Sequence, residues 1–279
     1  MKKGISYWSF AGADVKENLK LAKDAGFEGV EITLDAEGAV TLESTKEQIL
    51  EIKEYGESLG LEFYSVASSL YWNYNYTSVN AENRNKAKEI TKKQLEIASW
   101  LGCDTILVVP GAVFVPWEPG EIVEYDVAYD RALEALKELA PLAEQYKINI
   151  AIENVWNQFL LSPIEMKEFI DKVGSEYVGS YFDVGNVLYI GFPEHWIKIL
   201  GSRIKKVHIK DNTAPDACNA SMDKDLLAGD VNWPGIIDAL EKIGYDGWIT
   251  AEMLPPYTHY PEALIYNTSN SFDYILRRK

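Results

Sequence analysis

The chain has 279 residues, 47% hydrophobic and 25% charged, with a formal net charge of -16 and a sequence pI near 4.7. That length suits one α/β barrel or two small domains, and the apolar share is enough for a large core. The carboxylate excess repels a phosphate backbone, which excludes nucleic acid as an expected partner.

In chain order, short apolar runs alternate with longer segments of helical spacing. Residues 4–7 form the first strand, and 15–25 an amphipathic helix that stops at Gly26. A strand at 29–32 is followed by a helix at 45–59 that ends at Gly60, and a strand at 61–67 by a long helix at 80–101 that ends at Gly102. Glycine just past a helical run is the usual C-terminal stop. A strand at 104–109 is ended by Pro110-Gly111, and 127–146 is a helix with Leu133, Leu136 and Leu139 on one face.

The second half keeps the rhythm. A strand at 148–152 runs into Glu153. Ser162, Pro163 and Glu165 mark a helix start that runs on to Gly174, with Ser at the N-cap and Pro at the first helical position. Strands at 177–182, 204–207 and 247–251 run into Asp183, His208 and Glu252; helices at 194–200 and 233–243 separate them, and the segment to Lys279 is the last helix. Eight alternating units imply a parallel sheet. The rival is an open doubly wound sheet, which usually carries a glycine-rich phosphate turn after its first strand. Here that region reads Ser6-Tyr7-Trp8-Ser9-Phe10-Ala11-Gly12-Ala13, so residues 1–279 are read as a single (β/α)8 TIM barrel.

Cys103 sits in an apolar run and Cys218 in a polar loop, a pattern that is neither a disulfide framework nor a thiolate zinc site. Met1-Lys2-Lys3 leads directly into the first strand, and no apolar run approaches a membrane span, so a cytoplasmic chain without a membrane partner is expected.

In such barrels the chemistry gathers at the C-terminal ends of the strands. Glu153, Asp183, His208 and Glu252 end strands five to eight in succession. One carboxylate after a strand is commonly just a helix cap or a solvated residue, but four potential ligands on adjacent strand ends converge on one pocket. Three carboxylates and one imidazole suit a divalent ion such as manganese, cobalt, magnesium or zinc. Asn154, Asn186 and Lys210 follow these ligands, and Tyr7 and Trp117 are among the strand-end aromatics. These five are the expected substrate-binding residues, since flat apolar walls beside carboxylates suit a sugar.

The segments Ala151-Ile152-Glu153-Asn154, Tyr181-Phe182-Asp183-Val184-Gly185-Asn186, Val207-His208-Ile209-Lys210-Asp211, Gly229-Asp230-Val231-Asn232-Trp233 and Thr250-Ala251-Glu252 resemble the sugar phosphate isomerase/epimerase superfamily, the xylose-isomerase-like barrels that include ketose 3-epimerases and hexulose-6-phosphate isomerases. The resemblance implies one divalent ion, manganese foremost, and a metal-dependent isomerase or epimerase of a ketose or ketose phosphate. It also implies that Glu153 and Glu252 act as acid and base around an enediolate. The same metal site in this superfamily also suits a dehydratase or a carbon–glycosyl-cleaving enzyme. The partner implied is a small sugar, in a homodimer or homotetramer. Three substrate-gripping positions of the ketose 3-epimerases hold other residues here: Asn186 three after the aspartate, Ala214 six after the histidine and Phe159 six after the first glutamate.

Overall fold

The computed structural model describes residues 1–115, 120–213 and 224–279. Its strands are β1 (Lys2–Ser6), β2 (Gly29–Thr33), β3 (Glu62–Ala67), β4 (Thr105–Val108), β5 (Asn149–Glu153), β6 (Val178–Asp183), β7 (Ile204–Ile209) and β8 (Trp248–Ala251). They close in sequence order into a parallel barrel, β1 pairing with both β2 and β8, so the expected (β/α)8 architecture is present. Around it lie α1 (Val15–Asp24), α2 (Lys46–Ser58), α3 (Ala81–Leu101), α4 (Tyr125–Tyr146), α5 (Pro163–Val173), α6 (Val184–Val187), α7 (Pro193–Leu200), α8 (Trp233–Lys242) and α9 (Pro261–Ile275). Among the described residues no helix is long and apolar enough to cross a membrane.

The helix ends follow the expected chemistry. The Ser162 hydroxyl accepts the Glu165 amide at the start of α5. Gly102 and Gly174, which close α3 and α5, sit at φ 85° and 84°, the left-handed region that favours glycine.

Most boundaries shift by a residue or two, and the shift at each end of the chain has a visible structural basis. β1 begins at Lys2, not Gly4, because Lys2 and Lys3 pair with Trp248 and Ile249 of β8. The buried Lys3 ammonium ion-pairs with Asp273 of α9 at 2.6 Å, a partner that no local pattern reveals. The last helix stops at Ile275, short of Lys279, and Arg277 lies at φ 56°.

Inward and outward side chains alternate along each strand, and two register breaks adjust this alternation. Between β2 and β3, Val30 pairs with Phe63 but Ile32 with Val66, so Tyr64 and Ser65 together oppose Glu31. This bulge lets both reach inner partners, Tyr64 the Thr250 hydroxyl and Ser65 the Glu31 carboxylate. Bulges of this kind re-aim side chains near functional sites. Between β6 and β7, Ser180 pairs with Ile204 but Tyr181 with Lys206, and this brings Asp183 opposite His208.

The end of the barrel away from these strand ends is filled. A Cβ on Gly4 would lie 2.1 Å from the Tyr64 hydroxyl, and one on Gly29 would lie 2.6 Å from the Trp248 ring. The missing side chains leave room for Tyr64 and Trp248 to stack at 4.1 Å, 8° from parallel. Lys206, also pointing down, is held by Asp104 at 2.6 Å.

Candidate metal centre

The fold brings the four strand-end residues together. Glu153 and Asp183 are the last residues of β5 and β6, His208 lies one residue before the end of β7, and Glu252 follows β8 directly. All four are buried, and one ligand atom from each lies within 4.8 Å of all the others. His208 Nδ1 is 3.3 Å from Glu153 Oε1, 3.7 Å from Glu252 Oε2 and 4.0 Å from Asp183 Oδ2. Ligands bonded to one ion at about 2.1 Å stand about 3–4 Å apart.

These four atoms are also buried without a well-formed hydrogen bond. Burying one such atom unpaired is costly, and four facing one another are what a cation would satisfy. The residues therefore fit a divalent ion, with a donor set of three carboxylate oxygens and one imidazole nitrogen.

Two groups around the tetrad hold it in shape. The His208 Nε2 atom faces Glu31 Oε1 at 2.8 Å, which leaves Nδ1 for the cluster. The Lys210 ammonium, just past the end of β7, lies 3.1 Å from Asp183 Oδ2 and in direct contact with Glu252.

Charge and burial set the protonation. Burial pushes the Glu153 carboxyl up to about 7, with Glu252 and Asp183 adding to the shift against the pull of His208. Burial likewise raises Asp183, against the opposing pull of Lys210. Burial works to raise Glu252 too, but Lys210 and His208 outweigh it and hold that carboxyl below its ordinary value. Burial disfavours the His208 imidazolium, yet Glu31, Glu153 and Glu252 carry its pKa well above the usual histidine range.

The other expected site residues have different surroundings. The Asn154 amide clamps the Asp183 backbone, donating to its carbonyl at 2.8 Å and accepting its N–H at 2.9 Å. Asn186 donates to the Asn154 carbonyl at 3.0 Å, and its own N–H is capped by Asp183 Oδ1 at 2.7 Å. The Tyr7 hydroxyl accepts from Asn18 at 3.0 Å. Its neighbour Trp8 is the ring that packs on the inner wall of Ala67, Leu107, Ala151 and Tyr181, with its indole N–H donated to Asp35 at 3.0 Å. Trp117 lies outside the described residues.

Glu31 escaped the sequence reading. Its only signal is a lone carboxylate inside the apolar β2 run Gly-Val-Glu-Ile-Thr, all five residues of which are buried.

Comparison with known proteins agrees with this geometry. A profile of the xylose isomerase-like TIM barrel family matches residues 19–269, and the chain belongs to that family. An uncharacterized protein of Methanocaldococcus jannaschii is 25% identical over 90% of this chain and 83% of its own length. A D-psicose 3-epimerase of Enterocloster bolteae is 24% identical over 92% of this chain and 82% of its own. A crystal structure of a D-psicose 3-epimerase with D-fructose superposes with a TM-score of 0.82 at 18% identity, covering 98% of each chain.

Proposed function

We propose that this protein is a divalent-metal-dependent epimerase or isomerase of a ketose. The observation that carries the reading is the convergence of four buried potential ligand atoms from four consecutive strand ends. The likeness to a D-psicose 3-epimerase over nine-tenths of the chain supports the substrate class.

Glu153, Asp183, His208 and Glu252 would hold the ion, for which manganese is the first candidate. When bound, such an ion would supply Lewis-acid stabilisation of negative charge developing on a carbonyl oxygen. Glu153 and Glu252 flank the cluster from β5 and β8. One takes the proton from the sugar carbon and the other returns one from the opposite face, which inverts the centre. Return to the adjacent carbon would instead exchange aldose and ketose. Trp8, over the apolar wall of Ala67, Leu107 and Ala151, screens this exchange from water and supports the carbon face of the sugar. Asn154 and Asn186, whose amides bind backbone, position Asp183. Lys210 is the cation available to an oxygen of the substrate.

The substrate we favour is an unphosphorylated ketose. Lys210 already faces Asp183 and Glu252, which leaves it poorly disposed toward a phosphate dianion. Incubation of manganese-loaded protein with free and phosphorylated ketoses in deuterated water tests both points. The expected outcome is deuterium at one carbon of a free ketose, lost in Glu153→Gln and Glu252→Gln. Undiminished exchange in both variants would overturn the acid–base assignment, and turnover of phosphorylated ketoses alone would overturn the substrate preference.

A further inference from the structure

Beneath the tetrad lies a fourth carboxylate that the proposed chemistry leaves without a part. Glu31 is fully buried at the centre of the barrel and accepts three hydrogen bonds. Oε1 faces His208 Nε2 at 2.8 Å, while Oε2 accepts from the Tyr181 hydroxyl at 2.5 Å and from the Ser65 hydroxyl at 2.8 Å. Tyr181 also rests edge-on against the His208 ring, with centroids 4.6 Å apart.

We infer that Glu31 is a positioning residue for the metal centre, which fixes the tautomer and the ring plane of His208 and strengthens it as a ligand. The inference rests on the metal-centre reading above. A carboxylate can only accept, so a neutral His208 must carry its proton on Nε2 to satisfy this contact. Nδ1 then presents a lone pair toward Glu153, Asp183 and Glu252. The negative charge behind the ring raises its basicity toward a cation, the usual service of an outer carboxylate to a ligating histidine. The contacts to Ser65 and Tyr181 hold Glu31 itself. The bulge in β3 makes the first of these possible, because it turns Ser65 inward in addition to Tyr64.

Glu31→Gln keeps the size of the side chain but removes the charge and replaces one acceptor oxygen with an N–H donor. Tyr64→Phe deletes a buried hydroxyl at the barrel centre whose hydrogen bond goes to Thr250 and not to Glu31, so it serves as the control for general disturbance of the barrel centre. Manganese affinity is measured by calorimetry on wild type and both variants, and the visible spectrum is recorded on the cobalt-loaded forms. The expected result is tight binding in wild type, a loss of about 10- to 100-fold in Glu31→Gln with a shifted cobalt spectrum, and a change of no more than a few fold in Tyr64→Phe. Wild-type affinity and spectrum in Glu31→Gln would overturn the role of Glu31 while leaving the metal centre intact. So would an equal loss in Tyr64→Phe, which would mark a structural effect. Failure of wild type to bind manganese or cobalt would overturn the metal reading itself.

Discussion

The Lys210 ammonium lies 3.1 Å from the Asp183 carboxylate and also touches Glu252, so one lysine compensates two of the three carboxylates expected to face a metal. Lys210→Met should leave those carboxylates exposed to one another in the metal-free protein. Removing one partner of a buried ion pair costs on the order of 3 kcal/mol. Thermal melts with chelator and with excess manganese should show a lower Tm for the metal-free variant, and a larger metal-induced rise than in wild type. An equal or smaller rise would contradict the compensating role.

Proton competition gives a pH dependence with a defined sign. Burial raises the Glu153 carboxyl from its ordinary 4.5 to about 7 in the folded chain. The folded state thus holds a proton that the unfolded state has released, and the stabilisation this brings is complete below pH 4.5 and is lost as the pH rises through 7. Metal binding needs the deprotonated form, so the apparent Kd should weaken by about tenfold per pH unit below 7 for each proton displaced. Calorimetric titrations between pH 5.5 and pH 8 check the slope; a Kd independent of pH would refute it.

Asn154 holds the Asp183 backbone from both sides, at 2.8 and 2.9 Å. Asn154→Ala leaves a buried N–H and a carbonyl without partners, at a cost of about 1–3 kcal/mol. Stability and manganese affinity should fall together in this variant, because the strand end that carries the Asp183 ligand is no longer fixed. Chemical denaturation and metal titration measure the two.

At the opposite end of the barrel, Gly4→Ala should separate stability from site chemistry. The added methyl would meet the Tyr64 ring, and overpacking of this kind costs about 1–3 kcal/mol. The ligands of the tetrad stand on other strands, so metal affinity should stay within a few fold of wild type while the Tm drops. A parallel loss of affinity would show that the two ends are coupled.

The barrel and the tetrad were both legible because each rests on local pattern. Glycine stops, apolar runs and a polar residue at each strand end are visible within a dozen residues, and Glu153, Asp183, His208 and Glu252 occupy their places for that reason. Glu31 was not legible: its partner His208 is 177 positions away, and a carboxylate within a buried strand gives no hint of what it faces. Tyr7 and Trp8 show the limit of reading loops. Both follow β1, and only the turn at Tyr7–Ser9 decides that the indole, not the phenol, joins the inner wall. Asn154 and Asn186 looked like free polar groups beside the ligands, but their amides are committed to backbone across the β5 and β6 ends.

Among the described residues, the stacked Tyr64 and Trp248 rings fill the lower end of the barrel. Above them the Tyr64 hydroxyl meets Thr250 at 2.9 Å, and Ser65, Tyr181 and Glu31 form a fully buried layer under the tetrad. In the proposed reaction, a hydrogen lifted from the sugar carbon would meet this filled layer below, and would either return to the sugar or leave past the bound molecule. The ratio of isotope washed in to product formed would then report how often solvent replaces that hydrogen before it is handed back.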